Sequence, residues 1–241
     1  MPTPGLIFVG SRALDSAKTP DELFNRWHND EHVPGVLATG QTRLGLRYKN
    51  ADPSSALPYL ALYPVEDSAA AAPENAKLLL AGGPRQSRLL SCDDTRDLVS
   101  FDVRALEKTQ TYEAAPGRSS SSSGGGDDDR PKTLLCVGLE PRDGGDDDLD
   151  AWFREEHLDF LAASPSYRRC TRYVLRSSGA GGPPRFLALH EYDCETKDLP
   201  TDRLAVSCET DWAKRVLGPA KALEREVFEL VGVQGDMGLK L

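Results

Sequence analysis

The sequence predicts an α+β protein made of two βαββαβ ferredoxin-like repeats packed sheet to sheet. Three observations predict it. One motif is written twice, as "FNRWHNDEH" at 24–32 and "LDAWFREEH" at 149–157. Set without a gap, residues 27–48 and 152–173 are identical at seven of 22 positions: Trp27/Trp152, Glu31/Glu156, His32/His157, Ala38/Ala163, Arg43/Arg168, Arg47/Arg172 and Tyr48/Tyr173. The match resumes after a two-residue shift, "YLALY" at 59–63 against "FLALH" at 186–190, which reads as an internal duplication. Between the copies, "AAPGRSSSSSGGGDDDRP" at 114–131 has too little apolar surface to fold and reads as a tether. The expected organisation is a first repeat at 1–113, a linker at 114–131 and a second repeat at 132–241. The third observation is that "LIFV", "LLCV", "YLAL" and "FLAL" are continuous apolar runs. Such runs suit strands covered on both faces. Helices cover one face of each sheet, and the sheet of the other repeat is the economical cover for the second.

The elements follow in order. "GLIFVGSRA" reads as a strand. "TPDELFNRWHNDEH" opens a helix, with Thr19 as N-cap, Pro20 at the first helical position and Glu22 completing a capping box. "TRLGLRYK" and "PYLALYPV" read as strands, "PENAKLLLA" as a short helix and "DLVSFDVRAL" as a closing strand. The second half repeats the plan: "KTLLCVGLE", the helix "DDDLDAWFREEHLDFLAA", "RRCTRYVL", "RFLALHEY", a helix around "CETDWAKRVL", and "REVFELVGV".

Composition narrows the function. The net charge of −9 repels a phosphate backbone, so nucleic acid is not an expected partner. No apolar run approaches the ~20 residues of a membrane helix, and the N-terminus lacks a signal-peptide pattern. Five cysteines without a CxxC suggest neither a disulfide framework nor a zinc knuckle, and a cytoplasmic setting is expected. GxSxG, GxGxxG and Walker patterns are missing, so no nucleotide cofactor is indicated.

The stretch "FNRWHNDEHVPGVL", residues 24–37, resembles the W-[YF]-x-x-E-H-x-P signature of the dimeric α+β barrel superfamily, particularly its EthD-like branch. The resemblance covers nearly the whole chain apart from the tether. It implies an intramolecular dimeric α+β barrel. The superfamily includes cofactor-free monooxygenases, lactone isomerases, polyketide cyclases and haem-handling enzymes, so fold alone does not select a reaction. Two positions depart from the pattern. His28 stands where the family has an aromatic, and Asp159 falls where the second copy would carry the proline.

On a helical wheel of ~100° per residue, Glu31 falls inside the apolar stripe with Leu23, Phe24 and Trp27, and His28 and His32 lie on its edge. Glu156 falls likewise among Leu149, Trp152 and Phe160, with His157 on the edge. A carboxylate on a buried stripe has to be paired or protonated, and Arg43, Arg47, Arg168 and Arg172 are the expected structural ion-pair partners. The structural alternative is that these bridges only lock helix to sheet. The functional reading makes His32 or His157 a general acid or base oriented by Glu31 or Glu156. If only one copy works, Pro34 favours the first, since it ends or bends the helix just beyond His32. Trp27, His28, Tyr48, Tyr63, Trp152, Tyr173 and His190 are the candidate substrate-lining residues. "HNDEH" also matches the H-x-x-E-H metal pattern. The second copy has Phe153 in place of the first histidine, Pro34 disturbs the helix and no third ligand is evident, so no metal is expected.

The expected function is an EthD-like small-molecule tailoring enzyme, using cofactor-free acid–base chemistry on an apolar aromatic or polyketide-like compound: oxidation, cyclisation or isomerisation. A non-catalytic small-molecule binder or a structural barrel is the alternative. The chain is expected to be a pseudo-dimer in itself, with a further homodimer open, and no cofactor is expected.

Overall fold

The computed structural model describes residues 2–71, 85–114, 130–178 and 182–241. The expected helix "PENAKLLLA" and most of the tether lie outside the described residues. The chain is a mixed α+β protein. It forms two compact units: Met1–Lys108 with Leu175–Gly182 and Leu230–Leu241, and Thr109–Val174 with Pro183–Glu229. Among the described residues no helix is long and apolar enough to cross a membrane.

In the first unit, β1 (Gly5–Ala13) leads to α1 (Asp21–Trp27), a π-helical turn (His28–His32) and α2 (Val33–Ala38), followed by β2 (Leu44–Asn50), β3 (Tyr59–Val65) and β4 (Val99–Glu113). β1 pairs antiparallel with both β3 and β4, and β2 pairs antiparallel with β3, giving the order β4-β1-β3-β2. The residues of β4 beyond Lys108 belong to the second unit. One face of this sheet packs Ile7, Val9, Ala61 and Tyr63 against Val33 and Val36 of α2. Leu6, Phe8, Leu46, Leu60 and Leu62 alternate to the other face and are also buried. Burial on both faces is what the continuous apolar runs require. Gly45 allows α2 to lie this close, because a Cβ there would sit 2.9 Å from Val33 Cγ1 and 3.1 Å from Tyr63 Cε1.

In the second unit, β5 (Thr133–Glu140) leads to α3 (Asp146–Trp152), a second π turn (Phe153–His157) and α4 (Leu158–Ala162). Then come β6 (Tyr167–Ser178), β7 (Phe186–Tyr192), α5 (Thr201–Ser207), α6 (Asp211–Leu217) and β8 (Ala222–Gly235), with the residues of β6 beyond Val174 and of β8 beyond Glu229 belonging to the first unit. Antiparallel pairing gives the order β6-β7-β5-β8, the same as in the first unit. Leu135, Leu139 and Ala188 meet the helices, while Leu134, Leu189 and Phe228 are buried on the opposite face.

Three local expectations are corrected. Helix α1 has no side-chain cap: Pro20 is the N-cap residue, and Thr19 Oγ1 is buried without a partner. Asp21 and Glu22 in the first turn face the positive end of the helix instead. The helix expected around "CETDWAKRVL" forms as α6, capped by Thr210 accepting from Ala213 N–H at 3.0 Å, but it does not stand alone: the unexpected α5 precedes it.

The third correction concerns the motif helices, which are not α-helical throughout. Each motif histidine ends a π turn, and the two turns are 125 residues apart in sequence. Hydrogen bonding from i to i+5 puts an extra residue into the turn. Each histidine thereby moves into the direction the wheel assigned to the glutamate before it. His32 and His157 are buried, and Glu31 and Glu156 are only partly buried.

Candidate active site

The displaced glutamates do not meet the expected arginines. Glu31 accepts from Ser87 Oγ at 2.6 Å and from Leu89 N–H at 3.1 Å. Glu156 accepts from Trp152 Nε1 at 3.1 Å and from Thr210 Oγ1 at 2.6 Å, tying the second π turn to the cap of α6. Arg43 pairs with Glu66 at 2.9 Å and Asp236 at 3.5 Å, Arg168 with Asp193 at 2.6 Å and Arg172 with Asp150 at 2.8 Å. Arg47 donates to the amide oxygens of Asn29 and Asn25, at 2.5 and 2.8 Å.

The chain has four histidines, and all are buried. In the first unit His28 and His32 stand on one helix with ring centroids 4.6 Å apart. Trp27 packs on both rings, and Phe101 stacks on His32 at 5.7 Å. Among the described residues neither nitrogen of His28 has a hydrogen-bond partner, nor does Nδ1 of His32. Burial holds both imidazoles neutral, with His32 lowered to about 3. The nearby Tyr63 hydroxyl is buried without a partner, and burial raises its pKa. Tyr48 is also fully buried. Glu31 is turned to Ser87 and does not join the two histidines.

In the second unit the two imidazoles come from different elements. His157 ends the π turn, and His190 lies on β7 beside Leu135 of β5. Their ring centroids are 6.0 Å apart at 84°. Both line a cavity of about 300 Å³ between helices and sheet, a size at the low end for small-molecule sites. Strand alternation supplies one wall: Leu135, Val137 and Leu139 of β5 face the cavity, with Val227, Arg225 and Leu223 of β8 in register opposite them. Trp152, Phe153 and Leu161 form a second wall, and Leu204, Ser207 and Cys208 close a third. Trp152 stacks on His157 at 4.2 Å, and Phe153 lies nearly parallel to His190 at 6.4 Å. Tyr173 is buried on the opposite side of the sheet from His190, outside this lining, and burial raises its pKa.

Desolvation dominates the electrostatics. It lowers His157 well below the ordinary histidine value, with His190 and Arg225 adding to the shift, and it lowers His190 to about 3. Both rings are therefore neutral bases across the physiological range. His190 Nδ1 is 3.0 Å from the Tyr167 hydroxyl, which leaves Nε2 as the remaining polar atom of that ring. His157 Nδ1 is buried with no partner. A buried polar atom left unpaired costs about 1–3 kcal/mol. Sequence reasoning found His157, Trp152 and His190 through the repeat. It missed Phe153, although that residue lies within the second motif copy, and it missed Ser207, Cys208 and Arg225, which belong to no motif and reach the cavity through strand register and the turn after α5.

No family model matches the chain. A protein of Stachybotrys chlorohalonatus (strain IBT 40285), core atranone cluster protein 1, is 24% identical over 213 residues, which cover 83% of this chain and 84% of that one. Among solved structures, an anthrone oxidase-like protein superposes with a TM-score of 0.60 at 14% identity, over 100% of this chain and 96% of its own. A proposed monooxygenase of Fusobacterium nucleatum subsp. nucleatum does so with a TM-score of 0.54 at 10% identity, over 99% and 97%. At these identities the likeness is one of fold, that of dimeric α+β barrel proteins.

Proposed function

We propose that the chain is a small-molecule tailoring enzyme that oxidises an aromatic or polyketide-like substrate with O₂ in the cavity of the second unit, without a resident cofactor. The observation that carries this reading is the convergence of two neutral imidazoles, His157 and His190, on one mostly apolar cavity. The likeness to an anthrone oxidase-like protein and to a proposed monooxygenase favours oxidation over cyclisation or isomerisation. We also infer that the two units are ferredoxin-like repeats derived by duplication and fused as an intramolecular dimeric α+β barrel of the EthD-like type. The shared strand order and the π turns at matching positions support that inference.

In this reading His157 takes a proton from an activated C–H of the substrate. The imidazolium forms together with the substrate anion, so each charge offsets the desolvation of the other. The carbanion's electron pair reduces O₂ and forms a carbon–oxygen bond, and the peroxide takes up the proton. Loss of water from the hydroperoxide, with the second C–H proton, leaves a carbonyl. In sum a CH₂ group and O₂ become C=O and H₂O. His190, held at Nδ1 by Tyr167, presents Nε2 to the substrate, and the apolar walls keep bulk water from the anion.

The test is O₂ uptake and ¹⁸O₂ incorporation over a panel of aromatic compounds with acidic benzylic C–H groups. His157→Gln and His190→Gln are each expected to lower turnover about 10²–10⁴-fold while the fold is retained. Wild-type turnover in both variants would reject the assignment. Tight binding without turnover in the wild type would make the protein a carrier.

A further inference from the structure

We infer that the occupant of this cavity is not wholly apolar: it carries an acidic oxygen, as a phenol, an enol or a carboxylic acid, and Arg225 holds that oxygen. This deepens the reading above and rests on the same cavity. Arg225 lies between Leu223 and Val227 on the cavity-facing side of β8, so it is a cation set in an apolar row. It is the only lysine or arginine among the described residues that line the cavity.

Other guanidiniums of this unit meet carboxylates, whereas Arg203 donates to the Phe160 carbonyl and Arg225 to a thiol. Arg169 meets Glu191 at 2.7 Å, Arg172 meets Asp150 at 2.8 Å, and Arg185 and Arg215 meet Asp146 and Asp148 at 2.9 Å. Arg225 Nη2 donates to the Cys208 sulfur at 3.2 Å. A thiol is a weak acceptor with no charge to offer, whereas a guanidinium has five donors in a fork that matches an oxyanion. Its neighbours Glu224 and Glu226 alternate away from the cavity-facing side of the strand. On the same cavity lie the His157 side chain, more than nine-tenths buried, and the rings of Trp152 and Phe153.

These features fit a flat hydrocarbon body of roughly two or three rings, with its oxygen at Arg225 and the carbon next to that ring system at His157. The placement also suits the chemistry. An oxygen that gains negative charge beside a guanidinium makes its ring electron-rich, and an electron-rich ring is the better reductant for O₂.

The experiment is equilibrium binding to the full chain, read by tryptophan fluorescence and calorimetry, with 1-naphthol and 1-methoxynaphthalene as probes. The two share a body and differ in the acidic hydroxyl. 1-Naphthol is expected to bind about tenfold tighter or better, the usual worth of a hydrogen bond to a charged group. Arg225→Gln is expected to erase that preference by weakening 1-naphthol alone, and Arg225→Lys to keep part of it. The side chain is exposed, so an unchanged melting temperature is expected in both variants. Equal affinity for the two probes, or a preference that survives in Arg225→Gln, overturns the acidic-oxygen assignment while the cavity reading stands. No binding of either aromatic overturns both.

Discussion

The two units hold two histidines each, to different effect. In the first unit both imidazoles, His28 and His32, stand on one helix and pack on each other under Trp27 and Phe101. In the second unit Phe153 replaces the first of them and His190 takes the place of Tyr63 on the third strand. One imidazole is thereby moved from helix to sheet, and the pair lines a cavity. Two differences at matching positions separate neutral bases packed into a core from neutral bases that line a cavity.

The largest expected effect breaks or sustains that contrast directly. His32→Gln in the first unit is expected to leave turnover within about twofold of wild type, while His157→Gln at the matching position lowers it about 10²–10⁴-fold. Steady-state rates of the two variants on one substrate decide the matter. A larger loss in His32→Gln would move the working site to the first unit.

Acid stability comes next. Burial pushes His32 and His190 to about 3, against about 6.5 for an unfolded histidine. Between these values the unfolded chain binds protons that the folded chain refuses. Stability is therefore complete above about pH 6.5 and falls as the pH drops toward 3, by about 1.4 kcal/mol per pH unit for each histidine and about 3 kcal/mol for the pair. His28 and His157 are lowered for the same reason and steepen the fall. Urea unfolding at about pH 7, 5.5 and 4.5 measures the slope, and His32→Gln or His190→Gln should each flatten it. A free energy level across that range would mean that these rings are protonated in the folded state.

How much of this was legible in the sequence depends on how local each feature is. Strands such as "GLIFVGSRA" and "FLALHEY" were legible because a run of apolar, β-branched and aromatic residues is a local signal. The motif residues were legible because they occur twice. The facing of Glu31 and His32 was not, since a wheel of constant pitch cannot register one extra residue in a turn, and tertiary packing decides whether that residue is accommodated. The partners of Arg47 and Arg172 depend on which helix residues pack over their strands, contacts made 22 residues apart in sequence. Arg225 and Cys208 carry no motif at all, and only strand register brings them to the same cavity as His190.

A smaller effect tests the first unit's histidines as packing. His28→Phe copies the residue the second unit uses at this place. It removes two buried nitrogens without partners and keeps a ring against Phe24 and Trp27. The variant is expected to gain about 1–2 kcal/mol in urea unfolding at neutral pH. A loss of stability would mean that those nitrogens meet water or another partner in solution.

The smallest expected effect concerns what each motif glutamate anchors. Glu31 fastens the first π turn to Ser87, and Glu156 fastens the second to Thr210, which also caps α6. Helix α6 brings Leu217 to the cavity, so the second anchor supports the substrate wall as well as the fold. Thr210→Val removes the cap and one partner of Glu156 together. It should cost about 1 kcal/mol of stability and raise KM a fewfold with kcat nearly unchanged, because α6 loosens while His157 and His190 keep their places. Ser87→Ala should cost a similar stability and leave KM alone. If the two variants shift KM equally, Glu156 is no more than a brace, and the difference between the units lies in their histidines alone.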